Sequence, residues 1–481
     1  VSRSGPRQPW NYYYLKNEKK KQEKWHKLFN FELIKTKKEQ TNTTILMNKN
    51  TEKISYKTKK IKHSFTGRML TNYAGLSPIM QYIDKEEIGK QLNSIFPTEK
   101  KNATKFSNVQ VILGILLASL SGVNRVVRIS NFTADSLVKN LLNLKKHLNK
   151  DVIGQRLKKL GQKGSVKFQE YTFRKVKQWV EGTKLKAITI DCDSTVQRVY
   201  GNQEGAAKGY NSVKKGAKSY HPLLAFITEM KIVVNNRFRT GSAYTSNGIL
   251  SFIRQTSEIL PEEIKEIFFR ADSGFFNGKL FDLVEELQWD YLIKAKLKNM
   301  NKLLEQQKWE EVGTSVSICE FEYQAKNWEK ARKLKAIRTV SGYTEVEYFG
   351  QKQQVPVYQY ACYCSSLEVD AKQLHEKYKE RSTSENWIEQ VKNQVLAGKT
   401  LTNNFHANDL LWQIAVFAYN ISVMMRYKTK KHFSQEHNTF REWFIELPGK
   451  ILTGRRQLTL KIYENYYFRD NWENFTTEVL S

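Results

Sequence analysis

Two acidic segments and one longer pattern carry side chains that could do chemistry together. The first is Asp191-Cys192-Asp193-Ser194-Thr195, which ends the β-branched run Ala187-Ile-Thr-Ile. Residues two apart on a strand point to the same side, so both carboxylates share a face where the strand ends. Acids crowded in this way repel unless a cation sits between them. Mg²⁺ suits such a place, because it takes oxygen ligands, usually one or two carboxylates with water and substrate phosphate. The second segment is Glu266-Ile-Phe-Phe-Arg-Ala-Asp272, an apolar strand that runs into an acid before the tight exit Ser273-Gly274. Each segment also has an ordinary reading, since acidic residues commonly start loops and cap turns.

The third element is Tyr378, Arg381, Glu385 and Lys392, spaced Y-x2-R-x3-E-x6-K. On one continuous helix these four positions share a face. A lone carboxylate among tyrosine, arginine and lysine suits a metal ligand flanked by phosphate-holding groups. The competing reading is a solvated face with an Arg381–Glu385 pair.

Charge points the same way. The chain has 79 Lys and Arg against 48 Asp and Glu, a net of +31. Self-repulsion of that size is best explained by a polyanionic partner. Residues 1–66 hold 17 basic and 5 acidic residues, so +12 lies there and +19 is spread over the rest. The spread suits a protein wrapped around nucleic acid rather than an enzyme with a basic arm. Cys192, Cys319, Cys362 and Cys364 form no zinc-knuckle pair and are expected as reduced core residues. No apolar run is long enough to span a membrane, and no signal peptide is visible at the start. The expected location is the cytoplasm, where the DNA is.

Elements must position these residues. Residues 1–46 are polar and lysine-rich without period; they are either a disordered basic segment that tracks phosphates or an upstream reading frame, with translation starting at Met47. Residues 47–180 read as a helical DNA-binding domain. Val109–Leu120 is a buried helix, and Asn131 or Thr133 caps another. Asp151–Leu160 is a short amphipathic helix with basic residues outward, suited equally to a DNA groove or to an ordinary surface; residues 166–180 form one more. At Leu185 the period changes. Strands are expected at Ala187–Asp193, Tyr220–Thr228, Lys231–Arg239, Glu266–Asp272 and Asp290–Ala295, with helices at Asn247–Ile259 and Gly278–Glu286. Three strands, helix, strand, helix, strand is the order of the ribonuclease H-like fold. Residues 305–369 break that rhythm with period-two runs at Val316–Tyr323, Lys333–Val340 and Val355–Cys364. Helices resume near Asp370 and run through Glu385 and Asp409–Met425. Residues 431–481 form a basic C-terminal region with a strand or hairpin.

Taken together, these residues resemble the DDE transposases of bacterial insertion sequences, in the class with a Y-R-E-K signature and a β insertion before the final Glu. Within it the chain is most similar to the insertion-sequence family numbered 1380. The resemblance rests on Asp191-Cys-Asp-Ser-Thr-Val, Tyr200-Gly-Asn-Gln-Glu-Gly-Ala-Ala-Lys-Gly-Tyr-Asn, Tyr220-His-Pro-Leu-Leu-Ala-Phe, Arg270-Ala-Asp-Ser-Gly-Phe-Phe, Tyr291-Leu-Ile-Lys-Ala, Asn404-Phe-His-Ala-Asn and Leu447-Pro-Gly-Lys. It runs from about residue 70 to the C-terminus.

The resemblance implies an α/β fold: a ribonuclease H-like catalytic core (185–304 and 370–430) with an inserted β-rich subdomain (305–369), preceded by an α-helical domain. It puts the catalytic and metal-binding acids at Asp193, Asp272 and Glu385, with Asp191 the rival or partner of Asp193. The separation of 113 positions from Asp272 to Glu385 makes room for the insertion. Tyr378, Arg381 and Lys392 would position DNA phosphates. Trp309 and Trp328 would stack a flipped base. The implied cofactor is Mg²⁺ or Mn²⁺, as two ions. The implied partners are the double-stranded terminal repeats and target DNA, bound by a dimer. Two rival functions are a ribonuclease H-like nuclease that only cleaves and a transposase-derived DNA-binding protein without catalysis.

Overall fold

The computed structural model describes residues 64–98, 106–209, 214–244, 246–454 and 457–481. Residues 1–46 and the expected start at Met47 lie outside the described residues. The described chain from Gly67 onward is one compact unit. All statements of absence below concern the described residues.

A short strand β1 (Leu70–Thr71) leads into helices α1 (Leu76–Lys85), α2 (Ile88–Ile95) and α3 (Asn108–Leu120). Helix α3 is the expected buried helix. Ser107 and Gln110 form a capping box at its start, which satisfies two otherwise orphaned N–H groups. Helices α4 (Ile129–Ala134) and α5 (Ser136–Leu141) follow. The cap of α5 is Asp135, which accepts from Leu137 and Val138 N–H, rather than Asn131 or Thr133. The two expected helices 151–160 and 166–180 are halves of one 34-residue element, α6 (Lys150–Thr183), kinked at Gly161 (φ 53°, ψ −148°). Glycine adopts that conformation without a Cβ penalty.

The sheet begins with β2 (Ala187–Ser194). The Gly-rich basic loop after it holds a small sheet of β3 (Gln197–Arg198), β4 (Ala207–Lys208) and β5 (Lys218–Tyr220). Then come β6 (Leu223–Ile227), β7 (Ile232–Arg237), α7 (Ile249–Ile259), β8 (Glu266–Ala271), α8 (Gly278–Glu286) and β9 (Asp290–Lys294). In space the order is β7-β6-β2-β8-β9. Strand β6 is antiparallel to both β7 and β2, whereas β2, β8 and β9 are parallel. This mixed arrangement is the ribonuclease H-like core that the element order implied.

After α9 (Met300–Glu305) come β10 (Glu310–Gly313), β11 (Val316–Tyr323), β12 (Arg332–Tyr348) and β13 (Gln351–Ser365). These strands continue the core sheet instead of forming a separate layer. Strand β13 pairs antiparallel with β9 through Tyr363↔Lys294, Cys364↔Ile293 and Ser365↔Leu292, making one nine-stranded sheet. Strands β12 and β13 are longer than the sequence pattern suggested, because their distal halves do not alternate against a buried face.

Helices α10 (Ala371–Lys379), α11 (Ser382–Glu389) and α12 (Phe405–Lys428) return over the sheet. Helix α12 is buried along almost its whole length. It packs on α6, where Phe417 lies 5.8 Å from the stacked Trp179 ring, and on β7. The Asn420 side chain donates to Val233 O (2.8 Å) and accepts from Val233 N–H (2.9 Å), so it covers backbone groups of an edge strand. Helix α13 (His437–Phe444), the hairpin β14 (Gly449–Thr453) and β15 (Leu458–Ile462), and α14 (Arg469–Leu480) end the chain. The hairpin is the one expected in the C-terminal region, and β14 also pairs with β1. All four cysteines are buried and free. No helix is long and apolar enough to cross a membrane.

Candidate active site

Parallel pairing of β2 and β8 runs in register to Cys192↔Ala271. The next residue on each strand is an aspartate, so Asp193 and Asp272 stand side by side at the C-terminal ends of neighbouring strands. Asp272 Oδ1 accepts the Gly274 N–H at 2.9 Å, which fixes the tight exit. Asp193 Oδ1 accepts the Ser194 N–H at 2.7 Å, and its Oδ2 accepts from Arg381 Nη2 at 2.6 Å. Burial pushes the Asp193 carboxyl up to about 6; Arg381 opposes this, and the charge of Asp272 adds to it. Desolvation disfavours the carboxylate, and so does a like charge nearby.

Asp191, on the same face of β2, has a different environment. Arg270, its register partner on β8, grips it with two bonds, Nε–Oδ1 at 2.8 Å and Nη2–Oδ2 at 3.0 Å. Thr228 Oγ donates to Asp191 Oδ2 at 3.2 Å. Both members of the pair are fully buried. The remaining Arg270 nitrogen donates to Lys377 O (2.8 Å) and Glu380 Oε2 (2.9 Å). Arg270 therefore ties β2 and β8 to the end of α10. With both its oxygens engaged by a buried guanidinium, Asp191 is a fastening point, and Asp193 is the acid at the strand mouth.

Helix α10 starts at a capping box of Asp370 with Gln373. It does not run straight into α11. The bonds Arg381 N–H to Tyr378 O, Thr383 N–H to Glu380 O and Ser384 N–H to Arg381 O each span three residues, a tightened 3₁₀-like turn. Beyond α11, residues Gln390–Gln394 form a π turn. These changes of pitch break the single stripe expected for Tyr378, Arg381, Glu385 and Lys392. Tyr378, Arg381 and Glu385 line one cleft of about 640 Å³, together with Lys294, Tyr363 and the face of β12 at Ile337 and Thr339. Lys392 sits in the π turn, is not among the cleft-lining residues, and its ammonium is pushed down by burial. Arg381 is buried against Asp193, so it meets a carboxylate instead of presenting itself only to phosphate. Tyr378 packs on Tyr363 (ring centroids 5.1 Å apart), whose hydroxyl lies 2.6 Å from His375 Nδ1.

The geometry thus brings Asp193 and Asp272 together and places Glu385 on the wall of the adjoining cleft, exposed to solvent. Among the described residues no three His, Cys, Asp or Glu side chains gather closely enough to hold a metal ion. The donor chemistry nevertheless fits a hard divalent cation, because all three groups are carboxylates.

The tryptophans have other work. Trp328 is buried among Phe276, Phe281 and Tyr323, with the Arg332 guanidinium over its ring. Trp309 donates its Nε1–H to Leu304 O, and its ring meets Tyr360 and Arg338. Trp328 is buried in this packing, while Trp309 is half-buried against Tyr360 and Arg338. Sequence reasoning missed Arg270 and Glu380 as site-building residues. A signal was present: Arg270 stands two residues before Asp272, as Asp191 does before Asp193, so parallel pairing sets the two opposite each other.

No curated protein matches the sequence. Among solved structures, a piggyBac transposase synaptic complex with hairpin DNA aligns with a TM-score of 0.44 at 13% identity, over 85% of this chain and 88% of that one. A Mos1 transposase paired-end complex with left transposon end aligns with a TM-score of 0.17 at 10% identity, over 40% of this chain and 60% of that one. Residues 53–480 match the family described as transposase DDE domain, group 1, and the chain belongs to that family.

Proposed function

We propose that this chain is the cut-and-paste transposase of a bacterial insertion sequence, of the Y-R-E-K class and similar to the family numbered 1380. It would bind the element's terminal repeats as a dimer, cleave them, and join the freed 3′-hydroxyls to target DNA in the bacterial cytoplasm. The observation that carries this reading is the side-by-side placement of Asp193 and Asp272 at the ends of parallel strands, with Glu385 on the wall of a cleft that Arg381, the partner of Asp193, also lines.

Asp193, Asp272 and Glu385 would hold two Mg²⁺ or Mn²⁺ ions, which supply Lewis-acid stabilisation of the scissile phosphate and an activated oxygen nucleophile. The chain's own residues do the rest. Arg381 balances the ionised Asp193 and keeps it at the strand mouth. Arg270 and Asp191 lock the two aspartate strands to α10, so the helix that carries Glu385 is held at a fixed distance from them. Lys294 and Tyr378 line the cleft where a DNA strand would run, and Lys392 would meet a phosphate farther along. In the first reaction water attacks phosphorus and the 3′-oxygen leaves. In the second that 3′-hydroxyl attacks a target phosphate, and a target 3′-oxygen leaves. The helices within 47–180 and the basic region 431–481 would supply further DNA contacts. A supercoiled plasmid carrying the element between its own ends provides the test. Excision products that need a divalent cation support the reading, and an intact plasmid under conditions where the protein binds the ends contradicts it.

A further inference from the structure

Helix α6 borders a cavity of about 310 Å³ beside its kink. One wall is apolar, made by Ile95 and Pro97 at the end of α2 and by Leu160 next to Gly161. The rim is cationic. Arg156 reaches it from before the kink, and Lys163 and Lys167 reach it from beyond. Among the described residues no Asp or Glu lines this cavity.

Arg156 is held in place. Its Nη1 donates to Asn108 Oδ1 at 2.6 Å and its Nη2 to Phe106 O at 3.1 Å. Asn108 is fixed in turn, because its Nδ2 donates to Phe96 O (3.3 Å) and Pro97 O (3.0 Å). Both acceptors of the guanidinium are neutral, and they use only part of its fork of N–H donors. Lys163 and Lys167 are exposed, and among the described residues neither they nor Arg156 pair with a carboxylate. Like charges gathered around one concavity repel. The fold supplies no counter-charge, so an anion from outside would relieve that repulsion.

The cavity also stands at a fixed place on the catalytic core. Just beyond Lys163, Ser165 Oγ donates to Asp409 Oδ2 of α12 at 2.5 Å. Gln169 Nε2 donates to Asn236 O of β7 at 2.7 Å.

We infer that this cavity is a phosphate-binding site and that its occupant is one sugar–phosphate unit of a DNA backbone. The phosphate meets Arg156, Lys163 and Lys167, and the sugar lies against Ile95, Pro97 and Leu160. The choice of DNA rests on the transposase reading; the phosphate site does not. A pre-set guanidinium suits planar recognition of phosphate oxygens, and the two lysines add point charges. A bare ion would leave the apolar wall uncovered, whereas a backbone unit covers it. Such a contact carries no sequence information. It sets where the duplex lies along α6, and α6 is fastened to the sheet that carries Asp193.

The test has two arms, both on the full chain. In the first, lysines are acetylated with and without sodium pyrophosphate, and each site is read by mass spectrometry. Pyrophosphate is expected to slow acetylation of Lys163 and Lys167 several-fold and to leave the exposed Lys145 and Lys146, which lie outside the cavity, unchanged. In the second, Lys163→Gln/Lys167→Gln is compared with Lys145→Gln/Lys146→Gln, an equal loss of charge at other exposed positions. Binding of a duplex carrying the element's end and of a scrambled duplex is measured by fluorescence anisotropy over a range of salt. The cavity variant is expected to bind both duplexes several-fold more weakly than the control variant, by the same factor. Its slope of log K against log[salt] should be shallower by about 0.9, one phosphate contact. No protection by pyrophosphate would overturn the phosphate site whatever the duplexes do. Protection with duplex binding at the control level would keep the site, assign it to a free phosphate compound and overturn the DNA assignment. A loss confined to the element's end would also overturn that assignment, because it would make the lysines readers of sequence. Neither arm needs cleavage, so failure of the transposase reading leaves the first arm intact.

Discussion

Arg381 and Asp193 stand 2.6 Å apart, joining the turn between α10 and α11 to the mouth of β2. The arginine of the Y-R-E-K pattern therefore serves the first acid directly. The ion pair, together with the Arg270–Asp191 fork beneath it, fixes where Glu385 sits relative to the two aspartates. Removing one partner of such a buried pair leaves a desolvated charge behind, at a cost of about 3–5 kcal/mol. Arg381→Ala is expected to lower the unfolding free energy by an amount in that range in urea titrations without metal. A loss below about 1 kcal/mol would mean that the pair carries little of the helix docking.

Metal affinity should depend on pH through Asp193. Its carboxyl lies at about 6, above the ordinary 3.8, so it is mostly protonated below that pH and a cation must displace the proton. Affinity for Mn²⁺ is expected to fall about tenfold per unit as pH drops below 6, and to level off above it. For stability the sign is the reverse. The folded state binds more protons than the unfolded state between 3.8 and about 6, so this group's contribution to stability declines as pH rises through that window. Calorimetric titrations with Mn²⁺ from pH 5 to 8 check the first expectation; a flat affinity would show that Asp193 is not a ligand.

The Asp191–Arg270 fork should behave as a fastening. Asp191→Asn and Arg270→Met are each expected to cost about 3–5 kcal/mol. The double variant should cost clearly less than their sum, because it leaves no unpaired charge. Denaturation of the four proteins in the cycle measures this coupling. Additive losses would contradict the pairing, and normal stability with lost metal binding in Asp191→Asn would make Asp191 a ligand.

Trp328 should act through packing. Trp328→Ala is expected to destabilise the protein without DNA by about 3–5 kcal/mol, because it empties the space among Phe276, Phe281 and Tyr323. Unchanged stability combined with a cleavage defect would restore the base-stacking role.

Much of this was legible in the residues. The apolar runs ending in Asp193 and Asp272 marked both strands and their order, because β-branched and aromatic residues between turn signals leave few alternatives. The helix Gly278–Glu286 fell where its pattern put it. Other features were hidden for physical reasons. The tight turn at Glu380–Arg381 and the π turn at Gln390–Gln394 come from docking on the sheet, which no helical period encodes. They are why Y-R-E-K spacing placed three residues on one cleft and Lys392 elsewhere. The free half of the β12–β13 hairpin was missed for the opposite reason: its alternation lacks the core that would have explained it.

The central claim is that Asp193, Asp272 and Glu385 act as one metal-dependent centre. Single-turnover cleavage of a labelled duplex carrying the element's end, with Mg²⁺ or Mn²⁺, tests it most directly. The wild-type chain is expected to nick the end only when the cation is present. Asp193→Ala, Asp272→Ala and Glu385→Gln should bind the duplex but release no product, whereas Lys392→Ala should cleave slowly and still bind metal. Wild-type rates in the Asp193, Asp272 and Glu385 variants, or equal cleavage in the presence of a chelator, would contradict the account.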